Sequence, residues 1–592
     1  MKFNLTKRFD SFTFLNITQF LGALNDNIFK LLIAFFLIDA QGEENSPKVL
    51  AIAGAIFVIP FLIFSASAGK LADRYSKRNI IVFSKSLEAV VMFLGIIAFT
   101  FRSEWGSYAI LWLMATQSAI FSPSKYGIVP EIVESDRISQ ANGMLTSFTF
   151  LATIIGTFLA SFITDMSGRN FILASCVCLL ISLLGLYTSF YIEHTPAMGS
   201  KKRFNIFFLK DVFRTLKRAR MENRLFCAML GSSYFLLLAA YVQLNIIPFS
   251  IQTLHLSDVW GGYLFLLTAL GIGSGSILAG KLSGKHVELG LVPFAGIGIG
   301  ITTIALYAVS DDSFSAAVIC VIILGLFGGL WVVPMDSFIQ VASPEHQRGQ
   351  MIAATNFLAF SGVLIASLML YVFSHVLGME AASGFLIVGL MTIIVTLFIT
   401  GATLDYFLRF LAFTITRLGF RLKVTGNEKI PKDSPSLILC NRSSSWIDAL
   451  LLTGTQRPPL RFLIESSRCK NKWLKMFFKL MRVIFIPEHS EDVNEYIYLE
   501  AKKGLDKGYT VCIFAKTTKD NDEAMAKYLE SFREYILHTP YPIIPVKIDE
   551  KPLHPASGSF WDLMKEFPWK VSITIGENRN VSNKTGPETH TT

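Results

Sequence analysis

GKLADRYSKR occupies residues 69–78, and GKLSG at residues 280–284 repeats its beginning 211 residues later. Two further pairs keep nearly the same spacing, Pro123 with Pro334 at 211 residues and Asn142 with Asn356 at 214. Repetition over this distance predicts a domain made of two similar halves. In membrane transporters, such parallel halves enclose a binding site near the middle of the membrane.

The composition around this repeat is typical of a membrane protein. Of 592 residues, 52% are hydrophobic and 17% are charged, whereas soluble proteins average roughly 25% charged residues. Ten runs of 20 or more residues lack Asp, Glu, Lys, Arg and His, and all ten lie before residue 405. Each run is long enough for a membrane helix. Two further stretches, at 13–38 and 80–101, contain charges and raise the prediction to about twelve spans.

These runs divide the chain into two domains and exclude an ordinary soluble enzyme. A membrane domain is predicted over 1–404, with halves at about 10–195 and 222–404 and a basic central loop at 196–221. The remaining residues, 405–592, are numerous enough to fold alone. The seven cysteines are scattered and indicate neither a disulfide framework nor a metal site. We therefore expect no metal and no cofactor.

Basic residues concentrate in alternate loops, as at residues 70–78 and 201–224. Because cytoplasmic loops carry the excess of Lys and Arg, both ends of the membrane domain are predicted to be cytoplasmic. The net charge of +10 needs no nucleic-acid partner, since anionic lipid attracts basic segments. Residues 204–224 have aromatic and basic faces at helical spacing. We expect them either to lie on the inner leaflet or to form a solvated connector.

Polar residues inside the apolar stretches are candidate site residues, because ionisable groups at membrane depth are costly. Asp26 lies between Asn25 and Asn27 in the first span, and Lys30 follows on the same helix face. One interpretation makes Asp26 part of a substrate site. The other is an Asp26 and Lys30 pair that only neutralises itself.

The fourth span ends in a second polar group, with Gln117, Lys125 and Tyr126. Pro123 and Pro130 are predicted to break the helix there. The alternative for Lys125 is an anchor whose ammonium reaches the membrane surface. In the second half, Asp336 occupies the matching place, while Glu88, near Lys85 in the third span, is expected to support helix packing.

The first motif resembles the loop signature of the major facilitator superfamily. In that family, an Asp at a helix end and basic loop residues form a cytoplasmic latch. The resemblance implies a latch made of Gly69, Asp73, Arg74, Lys77 and Arg78. In the second copy Gly284 stands where the Asp would be, so a symmetric latch is not expected.

The run QFLGALNDN, the run SPSKYGIVPE and the following ANG resemble the bacterial lysophospholipid transporters of that superfamily, over about residues 10–404. The resemblance implies flipping of lysophosphatidylethanolamine and lysophosphatidylglycerol from the outer to the inner leaflet of the inner membrane. It implies that the substrate-binding groups are Asn25, Asp26, Asn27, Gln117, Lys125, Tyr126 and Asp336. An ion-coupled sugar or drug transporter is the alternative, because composition and repeat alone do not identify the cargo.

The C-terminal domain alternates strand-like runs with helical stretches, which predicts an α/β fold. An amphipathic helix resting on the membrane is expected over 404–424. SLILCNRSSSWIDALLL, RFLIESSRC, RVIFIPE, GYTVCIFAKTTKDND and YPIIPVKID resemble, in this order, the sequence blocks of the glycerolipid acyltransferases over about 415–580. The fold class is therefore a polytopic α-helical membrane protein with a 12-span, two-half bundle, followed by a cytoplasmic acyltransferase-like domain.

In the acyltransferase family, a His five positions before an Asp removes the proton of the acceptor hydroxyl. Here Ser443 precedes Asp448, and Lys516 stands where the family has a Glu. Serine is no base at pH 7, so the domain is expected to be inactive. His489, His538 and His554 are available as displaced bases, and a bifunctional transporter and acyltransferase is the alternative. The expected partners are lysophospholipids, membrane lipid, and a separate active acyltransferase or acyl carrier protein.

Overall fold

The structure is a computed structural model that describes most of the membrane domain and the strands of the C-terminal domain. The described residues are 5–200, 208–284, 286–309, 313–426, 429–431, 435–440, 449, 451–453, 460–465, 483–486, 493–506, 509–514, 541–550 and 569–576. The chain divides into two compact units, Met1–Ala402 and Thr403–Thr592. Each unit is described by itself.

Long helices account for nearly all of the first unit. Its first half contains α1 (Leu5–Gln41), α2 (Ser46–Arg74), α3 (Lys77–Thr100), α4 (Glu104–Gly127), α5 (Val129–Ile132), α6 (Ile138–Met166) and α7 (Phe171–Ser189). The connector contains α8 (Phe208–Ala219). The second half contains α9 (Asn223–Gln252), α10 (Asp258–Ser283), α11 (Leu291–Tyr307), α12 (Phe314–Ala342), α13 (Arg348–Tyr371) and α14 (Ala381–Ala402). Among the described residues, ten helices are long and apolar enough to cross a membrane, and α4 and the shorter α11 complete two groups of six.

The two halves repeat each other, as the sequence predicts. The pairs α2 and α10, α3 and α11, α4 and α12, α6 and α13, and α7 and α14 begin 210 to 214 residues apart. One predicted correspondence is wrong. Because α6 begins at Ile138 and α13 at Arg348, Asn142 corresponds to Ile352, and Asn356 lies one helical turn further along the same face.

The predicted break at two prolines is also wrong in part. The helix α4 continues past Pro123 to Gly127, and the break falls at Ile128, after which Pro130 lies in the first turn of α5. In α12, Pro334 likewise lies inside a continuous helix. Membrane helices tolerate internal prolines because neighbouring groups satisfy the freed backbone carbonyls.

An apolar core in the first half contains buried residues of α1, α2, α3, α4, α6 and α7. Its aromatic centre is Phe36, whose ring centroid lies 4.8 Å from that of Phe99 and 5.6 Å from that of Phe171. These three rings fix α1 against α3 and α7.

Glycines allow the backbones of the two halves to touch. A Cβ atom at Gly143 of α6 would lie 2.5 Å from the carbonyl oxygen of Ser276 in α10. At Gly69 of α2, a Cβ atom would lie 2.6 Å from the carbonyl oxygen of Gly349 in α13. Any side chain at these positions would push the helices apart. Two crossings, α6 with α10 and α2 with α13, therefore join the halves at the end of the unit that contains residues 69–78.

The second unit is an α/β domain, which confirms the predicted class. It begins with α15 (Leu404–Gly419), so the helix predicted over 404–424 is shorter than expected and residues Phe420–Thr425 form a strand. The described strands are β1 (Phe420–Thr425), β2 (Leu437–Cys440), β3 (Leu460–Glu465), β4 (Ile484–Ile486), β5 (Thr510–Phe514), β6 (Ile543–Glu550) and β7 (Trp569–Ile575), with α16 (Val493–Asp506) before β5. They form one sheet in the order β1-β7-β6-β2-β5-β3-β4. All neighbours are parallel except β6 and β7.

Gly143→Ala should destabilise the membrane unit, because the added methyl group collides with the backbone of α10 and overpacking of this kind costs about 1–3 kcal/mol. Gly262→Ala is the matched control, since a Cβ atom there meets nothing within 4 Å. Thermal unfolding of both variants in detergent tests the crossing. We expect a lower midpoint for Gly143→Ala and an equal or higher one for Gly262→Ala. Equal midpoints would argue against a close contact of α6 and α10.

Candidate functional site

Two carboxylates of the membrane unit each accept a hydrogen bond from a serine on a neighbouring helix. Ser118 Oγ of α4 donates to Asp26 Oδ2 of α1 at 2.7 Å, and Ser232 Oγ of α9 donates to Asp336 Oδ1 of α12 at 2.6 Å. In the repeat, α9 corresponds to α1 and α12 to α4. The carboxylate and the hydroxyl have therefore exchanged helices between the halves.

Three lysines supply positive charge to this region: Lys30 and Lys85 interact electrostatically with Asp26, and Lys125 does so with both carboxylates. The side chain of Lys125 on α4 is buried, and its Nζ lies 4.5 Å from the ring centroid of Tyr126. It interacts electrostatically with Asp336 and Asp26. The repeat spacing of 211 residues makes Asp336 the counterpart of Lys125. The two halves thus present opposite charges at equivalent positions.

The remaining polar residues near Asp26 are engaged by their neighbours. Gln117 Oε1 accepts a hydrogen bond from Ser118 at 3.1 Å. Asn27 Nδ2 donates to the carbonyl oxygen of Ala23, one turn earlier, at 2.7 Å. The Nζ of Lys30 lies 5.3 Å from the centre of a phenylalanine ring of α2.

A buried network joins α1 to α3. Lys85 Nζ lies 2.6 Å from Glu88 Oε2, and Asn25 Nδ2 donates to Glu88 Oε1 at 2.9 Å. All three side chains are buried. Gly22 makes room for the ammonium group, because a Cβ atom there would lie 2.1 Å from Lys85 Nζ. The network engages the amide nitrogen of Asn25, while Asn25 Oδ1 has no hydrogen-bond partner among the described residues.

Asp73, near the end of α2, caps α13 of the other half. Its Oδ1 accepts from the backbone N–H of Gly349 at 2.7 Å. Its Oδ2 accepts from the backbone N–H of Gln350 at 3.1 Å and from the Gln350 side chain at 2.7 Å. A carboxylate here satisfies N–H groups that a helix leaves unpaired and interacts favourably with the helix dipole. One buried side chain thus holds the α2 and α13 crossing together.

The basic residues of the same motif contact their own half. Lys77 is fully buried and forms an ion pair with Glu131 of α5. Arg78 donates to two backbone carbonyls just after α7, at 3.0 and 3.3 Å. The guanidinium of Arg74 lies 5.5 Å from the centre of the adjacent tyrosine ring.

Comparison with protein families identifies this architecture. The family model described as Major Facilitator Superfamily matches residues 15–367. The chain belongs to this superfamily. A second model, described as Acyltransferase, matches residues 421–549, so both predicted family resemblances are confirmed.

Curated relatives cover the membrane half of this superfamily member. A protein of Photorhabdus laumondii named lysophospholipid transporter LplT is 27% identical over 326 residues, which is 55% of this chain and 78% of the relative. The LplT of Klebsiella pneumoniae is 29% identical over 329 residues, 54% of this chain and 78% of the relative. These relatives bear out the predicted resemblance to that transporter branch.

Solved structures support the fold of this superfamily member. The human organic anion transporter MFSD10 matches 66% of this chain and 99% of its own, with a TM-score of 0.56 and 13% identity. A bacterial homologue of the iron transporter ferroportin, in an outward-facing state, matches 67% of this chain and 98% of its own, with a TM-score of 0.53 and 15% identity. At these identities the likeness concerns the fold alone.

The acyltransferase motif positions Ser443, Asp448 and Lys516 lie outside the described residues, as do His489, His538 and His554. The strands that precede Ser443 and Lys516 in the sequence, β2 and β5, are described. Cys440, at the end of β2, pairs with Phe514, at the end of β5. The two strands are parallel, so their carboxyl ends lie at the same edge of the sheet. Burial, followed by the neighbouring thiol of Cys440, raises the pKa of the Cys512 thiol well above its usual value, so Cys512 is no substitute nucleophile.

Sequence reasoning missed the uncharged bridges between the halves of this transporter fold. Asn142 of α6 and Gln340 of α12 exchange amide hydrogen bonds of 2.9 and 3.0 Å. Asn356 Nδ2 of α13 donates to Ser122 Oγ of α4 at 2.9 Å. Polar side chains inside apolar spans signal such bonds, because they seek partners on other helices. The sequence does not indicate which residue about 200 positions away is the partner.

Lys85→Met should destabilise the protein by about 3 kcal/mol or more, because Glu88 stays buried without its counter-charge. In Lys85→Met/Glu88→Gln both charges are removed, and the glutamine oxygen can still accept the hydrogen bond of Asn25. We expect the double variant to regain most of the stability that Lys85→Met loses. Thermal unfolding of the three proteins measures this. If the double variant is no more stable than the single one, the pair does not act as a unit.

Proposed function

We propose that this chain flips lysophospholipids, namely lysophosphatidylethanolamine and lysophosphatidylglycerol, from the outer to the inner leaflet of the bacterial inner membrane. The observation that carries the proposal is the pair of opposite charges at equivalent positions, Lys125 and Asp336, in a chain similar to transporters named for lysophospholipids. The head group of lysophosphatidylethanolamine is zwitterionic and needs both signs of charge across one site, whereas that of lysophosphatidylglycerol is anionic and needs only the positive charge of Lys125. The single acyl chain of either lipid needs only apolar helix walls.

In this proposal, Lys125 attracts the phosphate, and Asp26 and Asp336 attract the ammonium group. Ser118 and Ser232 orient the two carboxylates, since each donates to one of them. Asn25, Asn27, Gln117 and Tyr126 shape the surrounding wall. The cost of holding these charges at membrane depth supports a function for them.

The proposal includes an orientation and a conformational state. Both ends of the transporter domain, 1–404, are cytoplasmic by the distribution of basic residues. Gly69, Asp73, Arg74, Lys77 and Arg78 form a cytoplasmic latch. The bonds of Asp73 to α13 support a state that is closed on the cytoplasmic side.

We propose that the domain at 405–592 binds lysolipid but does not acylate it. Acylation is not expected because Ser443 stands where the family has its catalytic base. A separate acyltransferase then consumes the flipped lysolipid. The match of residues 421–549 to the Acyltransferase model favours a second candidate, in which the chain both flips and acylates with a displaced base.

Flipping of labelled lysophosphatidylethanolamine by the purified full chain in liposomes tests the transport proposal. Asp26→Asn and Lys125→Gln should each reduce the initial rate about tenfold or more, because each removes a charge-assisted contact with the head group. Asp39→Asn is the matched control on the same helix, since Asp39 forms only an exposed ion pair with Arg169. We expect its rate to equal that of the unchanged protein.

Equal rates for all three variants would refute the proposed site. Solute uptake that depends on a proton gradient and ignores lysolipid would instead support the ion-coupled small-solute or drug transporter.

Acyl transfer from a thioester donor, assayed in the same vesicles, tests the C-terminal domain. We expect none. Acyl transfer that is abolished in Asp448→Ala would establish the bifunctional enzyme.

A further inference from the structure

A groove of about 390 Å³ opens where α6 crosses α10, and it is formed by both halves of the membrane unit. Its walls come from α1, α5, α6 and α10. The apolar wall and the charged rim are formed by Phe12, Ile132, Met144, Ile277, Arg137 and Lys281. Met144, Arg137 and Lys281 are exposed, so the groove is open to the surroundings.

The repeat shows what is unusual about this groove. Lys281 corresponds to Lys70, in the GKL triplet that both halves share. Lys70 Nζ lies 2.5 Å from Asp211 Oδ2 of α8, and α8 packs against both α2 and α13. The connector therefore covers the first crossing and neutralises its lysine. At the second crossing, the equivalent lysine lines the groove instead.

The first crossing contains a second acidic residue, Asp73, and this residue has no counterpart in the repeat either. Asp73 caps the N-terminus of α13, but Gly284 stands at its place in the repeat, with a φ of +59° that disfavours a side chain. The helix α6 begins without a side-chain cap from its N-cap residue, Arg137. The hydroxyls of Ser139 and Ser283, at this crossing, are buried without hydrogen-bond partners among the described residues. Among the described residues, the second crossing thus has no counterpart of Asp211 and Asp73, the two acidic groups that stabilise the first.

We propose that a phospholipid of the surrounding leaflet binds in this groove, with its phosphate between Arg137 and Lys281 and an acyl chain along Met144 and Ile277. Glu134 also lines the groove, which leaves an excess of one positive charge and favours an anionic lipid. The lipid supplies the negative charge that Asp211 and Asp73 supply at the first crossing. Because the groove needs both halves, the bound lipid stabilises the state in which this end is closed. This role is separate from the transport of lysolipid.

Titration of the purified full chain in detergent with phosphatidylglycerol, followed by thermal unfolding, tests this proposal. The unfolding midpoint of the unchanged protein should rise with lipid. Arg137→Gln/Lys281→Gln should need roughly 30-fold more lipid for half of the effect, since each basic residue near an anionic lipid contributes about fivefold. Lys217→Gln/Arg220→Gln is the matched control. It removes the same charges from two exposed positions that do not line the groove, one on α8 and one directly after it. This variant should respond like the unchanged protein.

A second variant, Met144→Trp, tests the acyl chain by filling the groove without changing its charge. It should weaken the stabilisation by phosphatidylglycerol. If Arg137→Gln/Lys281→Gln does not fold, the response of Met144→Trp to this lipid tests the proposal in its place. The proposal is overturned if Arg137→Gln/Lys281→Gln responds to lipid like the control. It is also overturned if inorganic phosphate alone gives the same rise in midpoint, or if lysophosphatidylethanolamine stabilises more strongly than the diacyl lipid. The last result would make the groove part of the transport path.

Discussion

The carboxylate of Asp73 bonded to the first turn of α13 is the interaction on which the arrangement of the two halves depends. Three hydrogen bonds converge on this one buried side chain. A helix end buried without such an acceptor would leave N–H groups unsatisfied in a medium without water. The bonds form only if α2 and α13 touch, and the glycines at 69 and 349 permit that contact. Capping and close packing therefore require each other.

Charge within the membrane is the second constraint. Lys85 and Glu88 neutralise each other inside one half and are joined by Asn25, so their cost is offset locally. Asp26, Lys125 and Asp336 are arranged differently. Each carboxylate receives a hydroxyl hydrogen bond, and Lys125 interacts electrostatically with both, while Lys30 and Lys85 also interact with Asp26. Charges that are held apart in this way remain available to a substrate, whereas a tight pair is not.

Hydropathy and repetition made the fold predictable, because membrane helices must be long, apolar and internally hydrogen-bonded. The charged candidates could be found for the same reason, since each ionisable group in an apolar span stands out. Serine and glutamine in an apolar span indicate a hydrogen bond but not its partner, so the bonds of Ser118, Ser232 and Gln340 emerged only from the structure. The predicted helix break at Pro123 was wrong, because the effect of a proline in a membrane helix depends on neighbouring helices that the local sequence does not specify. The predicted correspondence of Asn142 with Asn356 is displaced by one helical turn. One pair of identical residues is too little to align two helices of the repeat.

The two halves have the same order of helices. The residues of the candidate site and of the groove lie at positions where the sequences of the two halves differ. Lys125 in the first half is Asp336 in the second, which creates a dipolar site from two equivalent positions. Asp73 in the first half corresponds to Gly284 in the second. At the first crossing, therefore, a carboxylate of the protein caps a helix N-terminus, whereas Gly284 offers no such group at the second. Lys70 meets Asp211, whereas Lys281 lines a groove. Perfect symmetry would place two groups of the same charge at these equivalent positions, and such a pair would attract only one of the two charges of a zwitterion. In the proposed function, this difference between the halves supplies both signs of charge that the lysophosphatidylethanolamine head group carries.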